Sequence, residues 1–184
     1  MALAHPQMTA LEFLALPDAP FQHQLIDGEL IVNEPRLPHQ VATNNLSVAL
    51  ANWRRAAPGR GFASIPADFE IDAHNVFAPD LWWVAEERRP ERGQLAIEGL
   101  PDLIVEVRSP STWRYDVGRK KRRYEEGGVA ELWLVDTVGV VLVYRRSEPP
   151  VPTFDVELEL DETAVLTSPL LAGFSLAVRE IFEP

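Results

Sequence analysis

The stretch Pro101–Thr112, with the sequence PDLIVEVRSPST, determines how we interpret the rest of the chain. Residues 103–105 form an apolar run that Val107 extends, and prolines bound it on both sides. This pattern is typical of a fully buried central strand. Glu106 lies inside the run. Because an unpaired carboxylate costs several kcal/mol to bury, Glu106 needs a cation, a hydrogen-bonding partner or access to water.

The composition indicates a globular protein with a substantial core. The chain has 184 residues, of which 46% are hydrophobic and 24% charged, and we expect a single domain over 1–184. It has no cysteine, which excludes disulfides, thiolate nucleophiles and cysteine-based metal sites. No segment reaches the roughly 18 unbroken apolar residues of a membrane span, and residues 1–9 lack the pattern of a signal peptide. We therefore expect a soluble, cytoplasmic protein with no membrane partner.

The charge is strongly negative overall and unevenly distributed. A formal net charge of −11 argues against a general nucleic-acid coat protein, which is normally basic. One local region is basic, however, and is compatible with a phosphate-containing substrate. It holds six cationic residues against the single acid Asp116: Arg114, Arg119, Lys120, Lys121, Arg122 and Arg123.

The N-terminal part of the chain predicts a helix, a hairpin and a longer helix. Thr9 can cap a short helix over 9–16, and Glu12 completes a capping box. Asp27-Gly28 lies between two apolar runs and is the strongest hairpin signal in the chain. Helical spacing of apolar residues predicts a long helix from 38 to 57.

Strands dominate the remainder. We predict one strand over 61–71 and a second over 76–84 that carries Pro79-Asp80. The other predicted elements are the central strand, a helix over 113–127, strands over 131–136, 138–145 and 154–160, and a closing segment over 170–182. The order indicates an α/β or α+β fold, with a central mixed sheet flanked by helices and with added β-hairpins.

Two Pro-Asp pairs compete as partners of Glu106. Asp102 precedes Glu106 on the same strand, but their backbones are roughly 13 Å apart at about 3.3 Å per residue, too far to share one ion. Asp80 comes from a different strand. If that strand neighbours the central one, both carboxylates can bind a hard cation such as Mg²⁺ or Mn²⁺. We therefore expect Asp80 to be the partner.

The positive member of the site has two candidates. Arg108 points to the same strand face as Glu106 and can neutralise it or hold a phosphate, but a guanidinium cannot act as a general base. Lys120 can reach the same end of the sheet from the following helix and stabilise charge on phosphorus. A purely structural interpretation pairs Glu106 with Arg108 alone. His39 opens the long helix, where a cap or a solvent contact is more common than a ligand role.

Several short motifs follow one another in a fixed order along the chain. They are Leu25-Ile26-Asp27-Gly28-Glu29-Leu30, Pro79-Asp80-Leu81, the stretch Pro101–Thr112, Asp116, Lys120, Tyr124, Gly128-Val129 and Trp133-Leu134-Val135-Asp136. Over roughly residues 8–180, this ordered set resembles a large bacterial family that was long catalogued as a domain of unknown function. Its members are described as restriction-endonuclease-like proteins of the PD-(D/E)XK nuclease superfamily.

The resemblance implies a restriction-endonuclease-like core and a metal site. Asp80 and Glu106 fill the acidic metal-binding positions, and the Val107 carbonyl is a third ligand. Arg108 departs from the pattern, because the superfamily usually has lysine there. Family members resemble a variant in which the lysine has migrated, and Lys120 is the candidate here.

A second departure is Gln24, where family members often carry glutamate. If that acid helps to hold a second metal, this chain is weakened or restricted to one metal. The implied reaction is Mg²⁺- or Mn²⁺-dependent phosphodiester hydrolysis, with nucleic acid, and DNA in particular, as the substrate. The alternative is a catalytically inactive nuclease-fold protein that serves as a binding or assembly module. The Trp-rich strands and the edge near 153–160 are compatible with a homodimer.

Overall fold

The computed structural model of the chain describes residues 7–16, 23–94 and 96–184. The helices are α1 (Ala10–Leu14), α2 (Leu37–Arg55), α3 (Trp113–Tyr115), α4 (Lys121–Glu126) and α5 (Val178–Phe182), with a 3₁₀ turn at Glu86–Arg88 and a π-helical turn at Asp116–Lys120. The strands are β1 (His23–Ile26), β2 (Glu29–Val32), β3 (Phe62–Ser64), β4 (Phe69–Asp72), β5 (Asn75–Phe77), β6 (Leu81–Val84), β7 (Leu103–Val107), β8 (Glu131–Asp136), β9 (Val140–Arg145), β10 (Val156–Leu160), β11 (Val165–Leu166) and β12 (Leu176–Ala177).

The central sheet has six strands in the order β10-β9-β8-β7-β6-β3. β7 pairs in parallel with β8, and its other neighbour, β6, is antiparallel. All five residues of β7 are buried, as its apolar sequence predicts. The parallel β7–β8 pair is connected through the helical segment over 113–126, which packs against the sheet as a crossover requires.

The two faces of β7 meet different partners because successive side chains alternate across a strand. Leu103, Val105 and Val107 pack with Leu46 and Leu50 of α2 in one hydrophobic cluster. Ile104 instead packs with residues of a second cluster that contains Tyr124 of α4. Glu106 lies two residues after Ile104, so its carboxylate is directed toward the helical segment over 113–126.

A second, four-stranded sheet has the order β2-β1-β5-β4, with antiparallel pairing throughout. The predicted hairpin forms its outer half: Asp27 and Gly28 have φ values of 49° and 75°, as a two-residue turn between twisted strands requires. The sheet contributes Ile26 and Phe77 to the cluster around Tyr124. It therefore covers the face of the central sheet from which Glu106 projects.

Two predicted strands are wrong in extent. The segments over 61–71 and 76–84 are not continuous strands, because each divides into two short strands that belong to different sheets. The interruptions contain Pro66 and Pro79, and proline has no backbone N–H to donate to a sheet. In consequence Asp80 lies where the chain passes from the second sheet to the central one, and not within a strand.

The other main elements agree with the sequence. Thr9 and Glu12 form the predicted capping box, and α2 covers most of the predicted long helix. The α+β class with a central mixed sheet flanked by helices is confirmed. Within the described ranges, no helix is long and apolar enough to cross a membrane. The single domain over 1–184 stays a prediction.

Candidate active site

Asp80 lies directly before β6, beside the end of β7. Leu81 pairs with Val105, so the next step along both strands brings Asp80 alongside Glu106. The Val107 N–H donates a hydrogen bond of 2.7 Å to Asp80 Oδ2, which anchors the carboxylate to the central strand. Only 7% of Asp80 is exposed. The fold therefore places Asp80, of the Pro79-Asp80 pair, next to Glu106.

Glu106 is held through a single oxygen. Lys120 Nζ lies 2.6 Å from Glu106 Oε1, and the Tyr124 hydroxyl donates a hydrogen bond of 2.6 Å to the same atom. Both partners come from the helical segment that follows β7. Of the partners that a buried Glu106 could have, the structure provides both a cation, Lys120, and a hydrogen-bond donor, Tyr124.

The π-helical turn over Asp116–Lys120 brings Lys120 to this position. Lys121 N–H donates to Asp116 O, the wider hydrogen bond that defines such a turn. Lys120 is completely buried, and its Nζ also lies 3.1 Å from Asp116 Oδ1. Asp116 Oδ2 in turn accepts a hydrogen bond from the Thr112 hydroxyl at 3.2 Å. Turns of this type are frequent at functional sites.

The pKa values of this cluster reflect burial and mutual charge. Burial, partly offset by Lys120, raises the pKa of Glu106 to about 8. Burial likewise raises the pKa of the Asp116 carboxyl. Burial alone would lower the pKa of Lys120, but Glu106 and Asp116 outweigh it and raise that pKa above its usual range. Burial also raises the pKa of the Tyr124 hydroxyl. Lys120 therefore stays an ammonium and Tyr124 a donor, so neither is a general base.

Arg108 does not take part in this cluster. Its guanidinium donates two hydrogen bonds to the Asp136 carboxylate, at 2.9 and 2.8 Å, and lies over the Trp113 ring. The structural interpretation that paired Glu106 with Arg108 is therefore wrong. Asp102 has a separate structural role, because its carboxylate accepts hydrogen bonds from Arg88 and from the Ala85 N–H.

A cavity of about 280 Å³ opens beside Asp80. The cavity is lined by Asp80 together with Gln24, Asn33, His39 and Thr43, among others. Glu106 and Lys120 are not part of this lining. Gln24 is buried, and its Oε1 accepts a hydrogen bond of 3.2 Å from the Ala78 N–H. His39 is 4% exposed, and its Nε2 lies 3.1 Å from Asp80 Oδ1.

The basic run over 114–123 does not form a free cationic face. Lys120 is buried, and most of the others are close to acids. Arg119 and Arg123 both pair with Asp27, Lys121 with Glu157, and Arg122 with Glu126. The net positive charge that this surface offers to a polyanion is thus smaller than the sequence suggests.

Residues 10–179 match a protein family described as "Uma2: Putative restriction endonuclease". This match covers nearly the whole chain. The chain belongs to the Uma2 family. The resemblance inferred from the ordered motifs is thereby confirmed.

A solved structure supports the fold assignment of this Uma2 chain. The crystal structure of a "putative nuclease belonging to DUF820" from Anabaena variabilis superposes with a TM-score of 0.76 at 21% sequence identity. The alignment covers 95% of this chain and 97% of that one. A comparison with curated proteins found no match. The two chains share the nuclease-like fold.

The charges at the Uma2 site fit a divalent cation. Three carboxyl groups, those of Asp80, Glu106 and Asp116, lie around the one ammonium of Lys120, and the charges of Asp116 and Asp80 add to burial in raising the pKa of Glu106. A divalent cation would offset this crowding of negative charge. Within the described ranges, no group of three or more His, Asp or Glu side chains is arranged so that it could hold a metal ion by itself. Mg²⁺ and Mn²⁺ do not need such a group, because they are commonly bound through one or two carboxylates plus waters and substrate phosphates.

Three residues of the site in this Uma2 chain were not assigned a role from sequence. Asp116 and Tyr124 were part of the ordered motifs, but helical spacing alone does not show that they point inward with Lys120. His39 was expected at a cap or in solvent, yet it is buried against Asp80. Its distance of 41 positions from Asp80 leaves no local signal. The contact arises because α2 packs on the face of the central sheet that carries Leu81, the residue after Asp80.

Tyr124 offers a test of how Glu106 is held. We expect Tyr124→Phe to lower the free energy of unfolding by about 1.5–3 kcal/mol, because the substitution removes a hydrogen bond to a buried carboxylate. Urea denaturation measures this change. Tyr144→Phe on β9 is the matched control and should change the free energy by less than about 0.5 kcal/mol. Equal losses in the two variants would contradict the assigned role of the Tyr124 hydroxyl.

Proposed function

We propose that this Uma2 protein is a metal-dependent endonuclease that hydrolyses phosphodiester bonds, with DNA as its substrate. The observation that carries the proposal is the convergence of Glu106 and Lys120, 2.6 Å apart, at the strand end where Asp80 is bonded to the Val107 N–H. An acidic pair can hold a divalent ion that activates water for phosphodiester hydrolysis, and an ammonium can stabilise the charge that develops in the reaction. The family description supports the same reaction class.

Asp80, Glu106 and the Val107 carbonyl are the proposed metal-binding groups. Mg²⁺ or Mn²⁺, when bound, supplies Lewis acidity toward the phosphate and lowers the pKa of a coordinated water. Asp80 would bind the ion through Oδ1, because Oδ2 already accepts the hydrogen bond of the Val107 N–H. Glu106 contributes Oε2, since the contacts with Lys120 and Tyr124 are both made through Oε1.

Lys120 is the proposed electrostatic catalyst. Its raised pKa keeps it positively charged at neutral pH, so it can stabilise the negative charge that develops on the phosphoryl oxygens. Complete burial strengthens this effect because water does not screen the charge. Asp116 and the π-helical turn hold the ammonium in place before the substrate arrives.

The wild-type protein can be tested directly. Incubation of supercoiled plasmid with the protein and Mn²⁺ or Mg²⁺ should produce nicked and linear DNA, and EDTA should abolish the reaction. Single-stranded DNA and RNA of the same sequence serve as competing substrates. Cleavage that persists in EDTA would contradict the metal mechanism, and cleavage of RNA alone would contradict the choice of DNA.

The second candidate is a catalytically silent relative that binds or assembles with a partner. It is favoured by one observation: Glu106 and Lys120 are almost completely buried and, among the described residues, do not line the cavity beside Asp80. A protein that binds Mn²⁺ and DNA but leaves every substrate intact would establish this alternative.

A homodimer and a cytoplasmic location stay predictions. β10 is an outer strand of the central sheet and offers an edge for pairing between two copies of the chain.

A further inference from the structure

His39 is buried in an unusual position for a histidine at the start of a helix. It lies in the first turn of α2, yet only 4% of it is exposed. Its Nε2 lies 3.1 Å from Asp80 Oδ1 but makes no hydrogen bond of adequate geometry with any residue that the structure describes. The ring nitrogen and the carboxylate oxygen are therefore close together without a hydrogen bond of good geometry between them.

The distance between these two atoms suits a shared ligand shell. In six-coordinate geometry with bonds of about 2.1 Å, neighbouring ligand atoms lie about 3.0 Å apart. The observed separation of 3.1 Å between Nε2 and Oδ1 matches this value. Asp80 Oδ1 is also the oxygen that the Val107 N–H leaves unused.

We propose that His39 binds the divalent ion together with Asp80, and that its nitrogen makes the site select first-row transition ions over Mg²⁺. This inference rests on the proposed function, because it assigns a further ligand to the same site. Oxygen ligands suit Mg²⁺, whereas an imidazole nitrogen favours transition ions and raises affinity in the order Mn²⁺ then Co²⁺. The ligand set thus specifies the class of metal.

The neighbours of His39 fix its orientation. The Thr43 hydroxyl donates a hydrogen bond of 2.8 Å to the His39 carbonyl and lies 3.5 Å from Nδ1. Since the hydroxyl proton is already engaged in that hydrogen bond, the Thr43 oxygen can only act as an acceptor toward Nδ1. Nδ1 then carries the ring proton, and Nε2 is left as the ligand atom. Metal-binding histidines are commonly oriented by such a partner on the other nitrogen.

The cavity provides space for the remaining ligands. Its volume of about 280 Å³ is sufficient for an ion with several waters, each of which takes about 30 Å³ in the liquid. Asn33 contributes to the lining, and its Oδ1 is buried without a hydrogen-bond partner among the described residues. This oxygen can accept a hydrogen bond from a coordinated water. The amide of Gln24 adds no charge, so Asp80 is the anionic group of this lining.

Pulsed electron paramagnetic resonance of bound Mn²⁺ tests the proposal without relying on activity. We expect modulation from a directly bound imidazole ¹⁴N in the full-length wild-type protein and its loss in His39→Gln. His74→Gln is the matched control, because His74 contacts the Met8 carbonyl and lines a different cavity, so the nitrogen signal should persist. A missing signal in the wild type, or a signal that survives in His39→Gln, would overturn the assignment of His39.

Metal affinities provide the second measurement. By competition against Mn²⁺, the wild type should bind Co²⁺ more tightly than Mn²⁺, and Mn²⁺ more tightly than Mg²⁺. His39→Gln should weaken Co²⁺ binding by at least about tenfold and change Mg²⁺ binding by less than about threefold, because the glutamine oxygen can replace the nitrogen for a hard ion. Equal weakening for both ions would contradict the selectivity. If the wild type binds no divalent ion, the proposed function fails as well; if it binds Mn²⁺ without nitrogen coupling, only the role of His39 fails.

Discussion

Asp80→Asn is expected to lower the rate of Mn²⁺-dependent plasmid cleavage by at least about 100-fold, since even partners outside the ligand shell typically change metal affinity or activity 10–100-fold. The substitution removes the negative charge that we assign to the metal. The fold should survive, because the asparagine oxygen can still accept the hydrogen bond of the Val107 N–H. Initial rates of nicking, measured with saturating DNA over a Mn²⁺ titration, check this outcome.

Thermal unfolding separates loss of metal binding from loss of structure. A ligand that binds only the folded state stabilises it by about 2.7 kcal/mol at a concentration 100 times its Kd. Mn²⁺ should therefore raise the Tm of the wild type and leave that of Asp80→Asn unchanged. Asp102→Asn is the matched control: it alters the other Pro-Asp pair, whose carboxylate contacts Arg88, and should retain the response to Mn²⁺. A full Mn²⁺ response in Asp80→Asn would exclude Asp80 as a ligand.

Lys120→Met is expected to have the largest effect on stability. It removes the single ammonium from between two buried carboxylates, and breaking a buried ion pair by deleting one partner costs about 3–5 kcal/mol. Cleavage should fall by at least about 100-fold, as for the loss of one group that stabilises charge in the transition state. Urea denaturation and the plasmid assay measure the two quantities.

A double variant keeps this prediction testable if Lys120→Met does not fold. Asp116→Asn combined with Lys120→Met reduces the excess of buried negative charge, so it should recover part of the stability without recovering activity. Arg122→Met, an exposed position on the same helix, should leave both quantities close to those of the wild type. If the free energy of unfolding of Lys120→Met lies within about 1 kcal/mol of the wild-type value, the Lys120 ammonium does not stabilise the buried Glu106 carboxylate as we describe. Retained cleavage would remove Lys120 from the mechanism.

The sequence predicted the central part of the fold correctly because the strongest local signals lie there. The apolar run around Glu106 identified β7. The burial of Glu106 implied a cation, a hydrogen-bonding partner or access to water, and the structure provides the first two as Lys120 and Tyr124. Asp27-Gly28 gave the hairpin, and the spacing of apolar residues gave α2. In each case the information is contained in a short window, since hydrophobic period and turn chemistry are local properties.

What the sequence did not give depends on contacts between distant segments. The strands over 61–71 and 76–84 alternate well enough to suggest continuous strands, and only the pairing of two separate sheets shows where each one ends. Arg108 follows Glu106 at the right spacing, but Asp136 at the end of the parallel neighbour captures its guanidinium. His39 reaches Asp80 because of how α2 packs, which no local pattern encodes.

The π-helical turn also limits how this chain can vary in length. Each residue added to or removed from a helix rotates everything beyond it by about 100°. Lys120 and Tyr124 must both point at one oxygen of Glu106, so an insertion or deletion between Thr112 and Lys120 would turn both away. Residues 117–119 are exposed and would ordinarily tolerate such changes. This surface segment is therefore constrained in its number of residues more tightly than in their identity.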